Sequence, residues 1–284
     1  MTQAIVVGLD GTEQADAAAG WAADEAVLRG TGVRLVHVLE PSPDVLVPLV
    51  SREPEESWAE DLLARTAAGL RERRPGLTVT TQVLPSGPVP GLVAAADQGE
   101  LLVLGSRALG GVAGYLVGSV GMSVAGRVEG PVVLVRADGE GARRGPVVAG
   151  VDVRQPADAL LRFAFEEAAL RGGPLDVVYV QHLPLYASLG PAMVPDVRPA
   201  VTPEIQLSLD DLLTSWRAEF PGVAASGRVL IGSASQELVR IAADAALVAV
   251  GRRTRRSVLG GHIGSVAHAV MHHSTAPVAV VPHD

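Results

Sequence analysis

The chain has no cysteine and no lysine. The first absence excludes disulfides, thiol catalysis and thiolate metal sites, and it fits a reducing cytoplasm. The second excludes a P-loop lysine, a Schiff-base lysine and any catalytic ammonium. All 23 cationic residues are therefore arginine, a bias that a GC-rich genome also produces. Aromatic residues make up only 3%, and the formal net charge is −8. An acidic, aromatic-poor chain is a poor nonspecific binder of nucleic acid, so none is expected as a partner. No run approaches the ~20 uninterrupted apolar residues of a membrane span. Met1 leads straight into "AIVVGLD", without the charged-then-apolar region of an export signal. These absences lead to the expectation of a cytoplasmic protein with no membrane partner.

What is present is apolar surface, 48% of 284 residues, enough for two cores rather than one. The chain is also written twice. Residues 5–39 align with 147–181 at an offset of 142; further on, "RERRPGL" (71–77) matches "RAEFPGV" (217–223) and Gly105 matches Gly251 at an offset of 146. The four extra residues are expected in the Pro-rich stretch 183–203, read as a mobile surface loop. So long a period is not that of a solenoid; it means two homologous domains, 1–137 and 146–284, joined by a linker at 138–145 whose Gly and charged residues suit that role.

Within each half, β-branched apolar runs alternate with amphipathic segments. In the first half the pattern predicts strands near 4–9, 33–39, 77–84, 101–105 and 131–135, and helices near 13–29, 54–74, 88–98 and 118–129. "LLVLG" and "PVVLVR" lack polar alternation, as strands buried on both faces of a parallel sheet do. The class is doubly wound α/β, in which ligands sit beyond the C-terminal ends of strands at the topological switch point.

Two strand ends carry the punctuation. Strand 1 ends in "GLDGT", which puts Asp10, Gly11 and Thr12 on the loop into helix 1. Strand 4 ends in "VLGSRALGGVAGYLVGSV" (103–120), which runs through five glycines to a helix opening at "GSV". Glycines allow close backbone approach, and a helix N-terminus bearing a serine offers amides and a hydroxyl, a set that suits phosphate. The alternative is that the glycines only turn the chain and that Ser119 caps its helix.

Gly105, two residues, Ala108, nine residues, then Gly118-Ser119 resembles the Gly-x2-Gly-x9-Gly-[Ser/Thr] signature of the universal stress protein family. "VVGLDGTEQADAA", "GVDVRQPADALLRFAFEEAALRGG", "PVVLV" and "PVAVV" are similar to that family's first and last elements, so the whole chain resembles its tandem form. The resemblance implies two five-stranded parallel sheets, each ordered 3-2-1-4-5, with strands 1 and 4 adjacent at the switch point. In ATP-binding members that pocket holds the nucleotide. Carried over to this chain, Asp10 with Gly11 and Thr12 would lie beside the nucleoside, and Val38 would contact adenine through its backbone. Gly105, Ala108, Gly118, Ser119 and Val120 would cradle ribose and phosphates. Their counterparts are Asp152, Val180, Gly251, Thr254, Gly264, Ser265 and Val266. ATP, accompanied by magnesium, is the implied ligand, with the first site the stronger candidate. The resemblance further implies that the last strands, 131–135 and 277–281, pair antiparallel in a pseudo-dimer, and that chains form homo-oligomers. The implied role is non-catalytic regulation of stress adaptation; a nucleotide-free interaction protein is the alternative.

The chain departs from the signature where the second glycine becomes Ala108 or Thr254, residues that would be strained if the position needed φ > 0. "DVR" (152–154) replaces "DGT" and puts bulk in the second loop. Arg252, Arg253, Arg255 and Arg256 could offset this by gripping phosphate, but a solvated or subunit-facing loop is the preferred reading of them. His268 and His272 share a helix face, but no third ligand is spaced to complete a metal site, so none is expected. Trp21, Phe163 and Phe165 are expected against their sheets; Trp58 and Trp216 could cover a sheet or a partner.

Overall fold

The computed structural model describes residues 3–40, 53–108, 115–116, 118–137, 145–182, 197–254 and 263–283. Its first unit lies within residues 1–142 and runs β1 (Ile5–Gly8), α1 (Glu13–Arg29), β2 (Val33–Leu39), α2 (Glu53–Arg73), β3 (Val79–Pro85), α3 (Pro88–Ala96), β4 (Leu101–Ala108), β5 (Tyr115–Leu116), α4 (Ser119–Ala125) and β6 (Val132–Arg136). The second lies within 143–284 and runs β7 (Val147–Gly150), α5 (Asp158–Arg171), β8 (Leu175–Gln181), α6 (Val197–Glu219), β9 (Ala225–Ile231), α7 (Ala234–Ala242), β10 (Leu247–Arg253), α8 (Ser265–His273) and β11 (Val278–His283). Most of the expected linker, 138–144, falls outside the described residues.

In the first unit the parallel order is β3-β2-β1-β4-β6, with Val7 opposite Leu35 on one side and Val103 on the other. In the second it is β9-β8-β7-β10-β11. Counting the five long strands of each, both are 3-2-1-4-5; the added detail is β5, which pairs antiparallel with the end of β4. The uninterrupted apolar runs are the central strands: Ile5, Val6, Val7, Val148 and Val248 are fully buried, because helices cover both faces.

The helices facing β1 and β7 pack differently. α1 buries alanines only on its apolar side, Ala15, Ala18, Ala19, Ala22, Ala23 and Ala26. Such small side chains let its backbone lie close on the sheet. α5 buries Leu160, Leu161, Phe163 and Phe165, and Phe165 joins Trp216 and Phe220 in a cluster with centroids 5.4–6.4 Å apart. Both helices end alike, at Gly30 (φ 63°) and Gly172 (φ 59°) in the left-handed cap that glycine adopts without penalty.

Several expectations are corrected. The helix expected over 118–129 spans only Ser119–Ala125, because the chain turns at Gly126 to re-enter the sheet at Val132. β4 continues past 105 to Ala108, since β5 gives its end a partner. The Pro-rich stretch is not all loop: α6 begins at Val197 and contains Pro203, while 183–196 lie outside the described residues. Trp21 is half-buried rather than core. Among the described residues no helix is long and apolar enough to cross a membrane.

Candidate functional site

Because β1 pairs with both β2 and β4, the chain leaves the sheet to opposite faces at their C-terminal ends and opens a crevice. In the first unit this cavity is about 370 Å³, within the ~300–1,000 Å³ usual for small-molecule sites. Asp10, Thr12, Val38, Gly105, Gly118, Ser119 and Val120 line it.

The loop after β1 is held by its own side chains. The Thr12 amide donates to Asp10 Oδ1 at 3.1 Å and its hydroxyl to the same oxygen at 2.6 Å. Thr12 Oγ1 in turn accepts from the Ala15 amide at 3.3 Å, capping α1. Gly11, with φ 80°, is absent from the lining: a β-carbon there would lie 3.0 Å from the Trp58 ring, so this glycine turns the loop beneath Trp58. Gly105 lines the cavity, yet its necessity is packing. A β-carbon would stand 2.4 Å from the Gln14 carbonyl carbon and 2.7 Å from the Ala15 nitrogen.

Ser119 does not cap α4. The cap is Gly118, which has no side chain to offer, so the hydroxyl and the first-turn amides are left for the cavity they line. Ala108 closes β4 opposite Tyr115, in extended backbone open to any L-residue, so the expected strain is absent. His37 was not legible as a site residue but lines the cavity. Its Nδ1 lies 2.8 Å from the Leu9 carbonyl, which can only accept, so in the neutral ring Nε2 is an acceptor. The ring meets Trp58 edge-on at 5.4 Å.

The second crevice is larger, about 530 Å³, although the sequence ranks it second as a site. Asp152, Val180, Gly251, Gly264, Ser265 and Val266 line it. The extra room has a local cause. By the repeat, α5 should begin at 155, but it begins at Asp158, because Pro156 biases residue 155 away from helical backbone. The turn that presses on Gly105 in the first unit is thus unwound here, and a β-carbon on Gly251 would instead meet the His283 ring at 2.7 Å and Leu160 at 3.7 Å. Thr254 is not in the lining; its amide and hydroxyl donate to the His283 carbonyl at 2.7 and 3.1 Å and fasten β10 to β11.

Arg154, in the place of Thr12, turns back on Asp152, its amide and Nε donating to Oδ1 at 3.2 and 3.0 Å. Gln155 Nε2 donates to Asp152 Oδ2 at 2.9 Å, and Arg253 Nε donates to Gln155 Oε1 at 2.7 Å. Burial alone would raise the Asp152 pKa, but the hydrogen bonds and charge of Arg154, with Gln155, hold it below the usual carboxylate value. Arg154 lies 6.0 Å over the Tyr179 ring, whose hydroxyl burial pushes upward in pKa. Arg154, Gln155, Tyr179, His182, Arg253 and His283 all line this crevice. Among the described residues no cluster of His and carboxylates is arranged to hold a metal ion.

The family model described as "Universal stress protein family" matches residues 1–136 and again 144–282. A universal stress protein of Mycobacterium tuberculosis is 32% identical over 290 residues, covering 97% of this chain and 96% of its own. A second from the same organism is 30% identical over 308 residues, covering 99% and 96%. In fold, the crystal structure of a universal stress protein from Archaeoglobus fulgidus superposes with a TM-score of 0.76 at 18% identity, over 99% of this chain and 98% of that one.

Proposed function

The chain belongs to the universal stress protein family, and from that premise we propose that it binds adenine nucleotide, ATP with magnesium, at the first-unit crevice and acts as a cytoplasmic regulator without turning the nucleotide over. The observation that carries this reading is the convergence at one 370 Å³ cavity of the Asp10 loop, the end of β2 at Val38 and the Gly118-Ser119 helix start. The apolar floor suits a base, and the uncapped hydroxyl and amides suit phosphate oxygens. The non-catalytic part rests on the lining groups, since Asp10 is committed to Thr12 and His37 Nδ1 to the Leu9 carbonyl.

Calorimetric titration of the nucleotide-stripped protein with ATP and magnesium tests the reading. It expects at least one saturable site per chain and no phosphate release on the timescale of binding. Absence of heat together with no displacement of labelled ATP would overturn it. One observation favours the alternative, a scaffold that binds no nucleotide: Gly105 is required by packing whether or not a ligand is present. That scaffold predicts no saturable site.

Pairing of the last strands and assembly into homo-oligomers belong to the same proposal. Its support is that β6 and β11 are the apolar fifth strands of their units, each paired within its unit on one side only, to β4 and β10, and an apolar strand edge needs a cover. Sedimentation mass and slow amide exchange in 132–136 and 278–283 are the expected readouts; a monomer with fast-exchanging end strands would speak against it.

A further inference from the structure

We propose that the second-unit crevice selects for a polyphosphate chain, gripped by Arg154 and Arg253. The proposal deepens the nucleotide reading by assigning the phosphate-recognising residues of a site that the sequence signature leaves doubtful. Arg154 stands where the first unit has Thr12, so a guanidinium replaces a hydroxyl at the same loop position. Arg253 reaches the same place from the end of β10, and the two are joined through Arg154, Asp152, Gln155 and Arg253 in a continuous hydrogen-bonded chain.

That chain holds the arginines in place without consuming them. The Arg154 side chain is 71% exposed, and an ion pair so open to water contributes little, so a phosphate can take over from Asp152 at small cost. Guanidinium groups match phosphate oxygens two by two, and to take one up Arg154 leaves the Asp152 carboxylate whereas Arg253 leaves only the neutral Gln155 amide oxygen. Room for the chain comes from the unwound start of α5, in the 530 Å³ cavity that Ser265 and the start of α8 also line. The shared chemistry is a run of linked phosphates, supplied by a nucleoside triphosphate or by inorganic polyphosphate.

The test titrates the full chain with inorganic tripolyphosphate, with ATP and with adenosine. The proteins compared are wild type, Arg154→Thr, Arg253→Gln and, as a control away from the crevice, Arg162→Gln. Tripolyphosphate should bind once per chain, weaken with added salt, and lose roughly tenfold or more in affinity in each crevice variant while Arg162→Gln leaves it unchanged. Competition of tripolyphosphate for one ATP equivalent identifies the nucleoside triphosphate as occupant. Tripolyphosphate binding lost in the variants of a protein that never takes ATP supports the arginine site with inorganic polyphosphate, and overturns the nucleotide reading alone. Tripolyphosphate that fails to bind, or binds equally to Arg154→Thr and Arg253→Gln, overturns the arginine site even where ATP still binds the first crevice.

Discussion

Gly105 and Gln14 stand so close that a β-carbon on the glycine would lie 2.4 Å from the Gln14 carbonyl carbon. The relation explains why the strand-4 turn opens on glycine: the first turn of α1 rests directly on β4. At its counterpart in the second unit, Gly251, the atoms nearest a β-carbon would belong to a histidine ring and a leucine methyl rather than to backbone. One signature thus serves two packing problems of different stringency.

The first prediction follows from that difference. Gly105→Ala forces backbone apart and should destabilise the first unit by about 1–3 kcal/mol, the range for overpacking. Gly251→Ala displaces a movable His283 ring and should cost less. Urea unfolding that resolves the two units checks the order; equal costs would count against it.

Thr12 and Ser119 should separate stability from binding. Thr12→Ala removes a cap and should lower the stability of the first unit by about 1 kcal/mol. Ser119→Ala removes a hydroxyl that caps nothing, so the melting temperature should hold while ATP affinity falls several-fold. A drop in stability for Ser119→Ala would show that the hydroxyl has a structural partner.

Trp58 is exposed, whereas Trp216 is 6% exposed within its aromatic cluster. Trp58 touches His37, which lines the first cavity, so its fluorescence should report occupancy. Nucleotide should change the emission and the acrylamide quenching of wild type but leave Trp58→Phe unaffected. A ligand-dependent change that persists in Trp58→Phe would place the reporter elsewhere.

Acid should loosen the second loop. The folded Asp152 pKa is depressed below 3.8, so its contribution is fully present above that value and is lost as pH falls through the folded pKa. Arg154→Gln removes the charge and the side-chain hydrogen bonds of the arginine while keeping the residue-154 amide, so carbon NMR of the Asp152 carboxyl should show a higher midpoint. An unchanged midpoint would mean that the residue-154 amide and Gln155 hold the carboxylate without the guanidinium.

Elements with chemical punctuation could be read directly from the residues. The helix at 13–29 and the strand at 33–39 begin and end as expected because Thr12 caps one end and Gly30 takes the left-handed turn at the other. Ala108 misled because the signature places it in a glycine loop, whereas the short β5 draws it into a strand. Thr254 misled similarly, being tied to the His283 carbonyl. His37 gave no signal, since on a strand its neighbours along the chain are apolar and only the fold turns it toward the crevice.

The sequence by itself determined that the chain is duplicated and doubly wound, and that its crevice-forming loops lie after β1 and β4. Periodicity, buried runs and glycine spacing are local quantities, and they suffice for that. Only the tertiary structure decided what each glycine faces, which loop arginine meets which carboxylate, and which crevice is wider. Those outcomes depend on contacts between distant segments. Three residues of helix unwound ahead of Asp158 change the second cavity in a way that neither repeat, read alone, discloses.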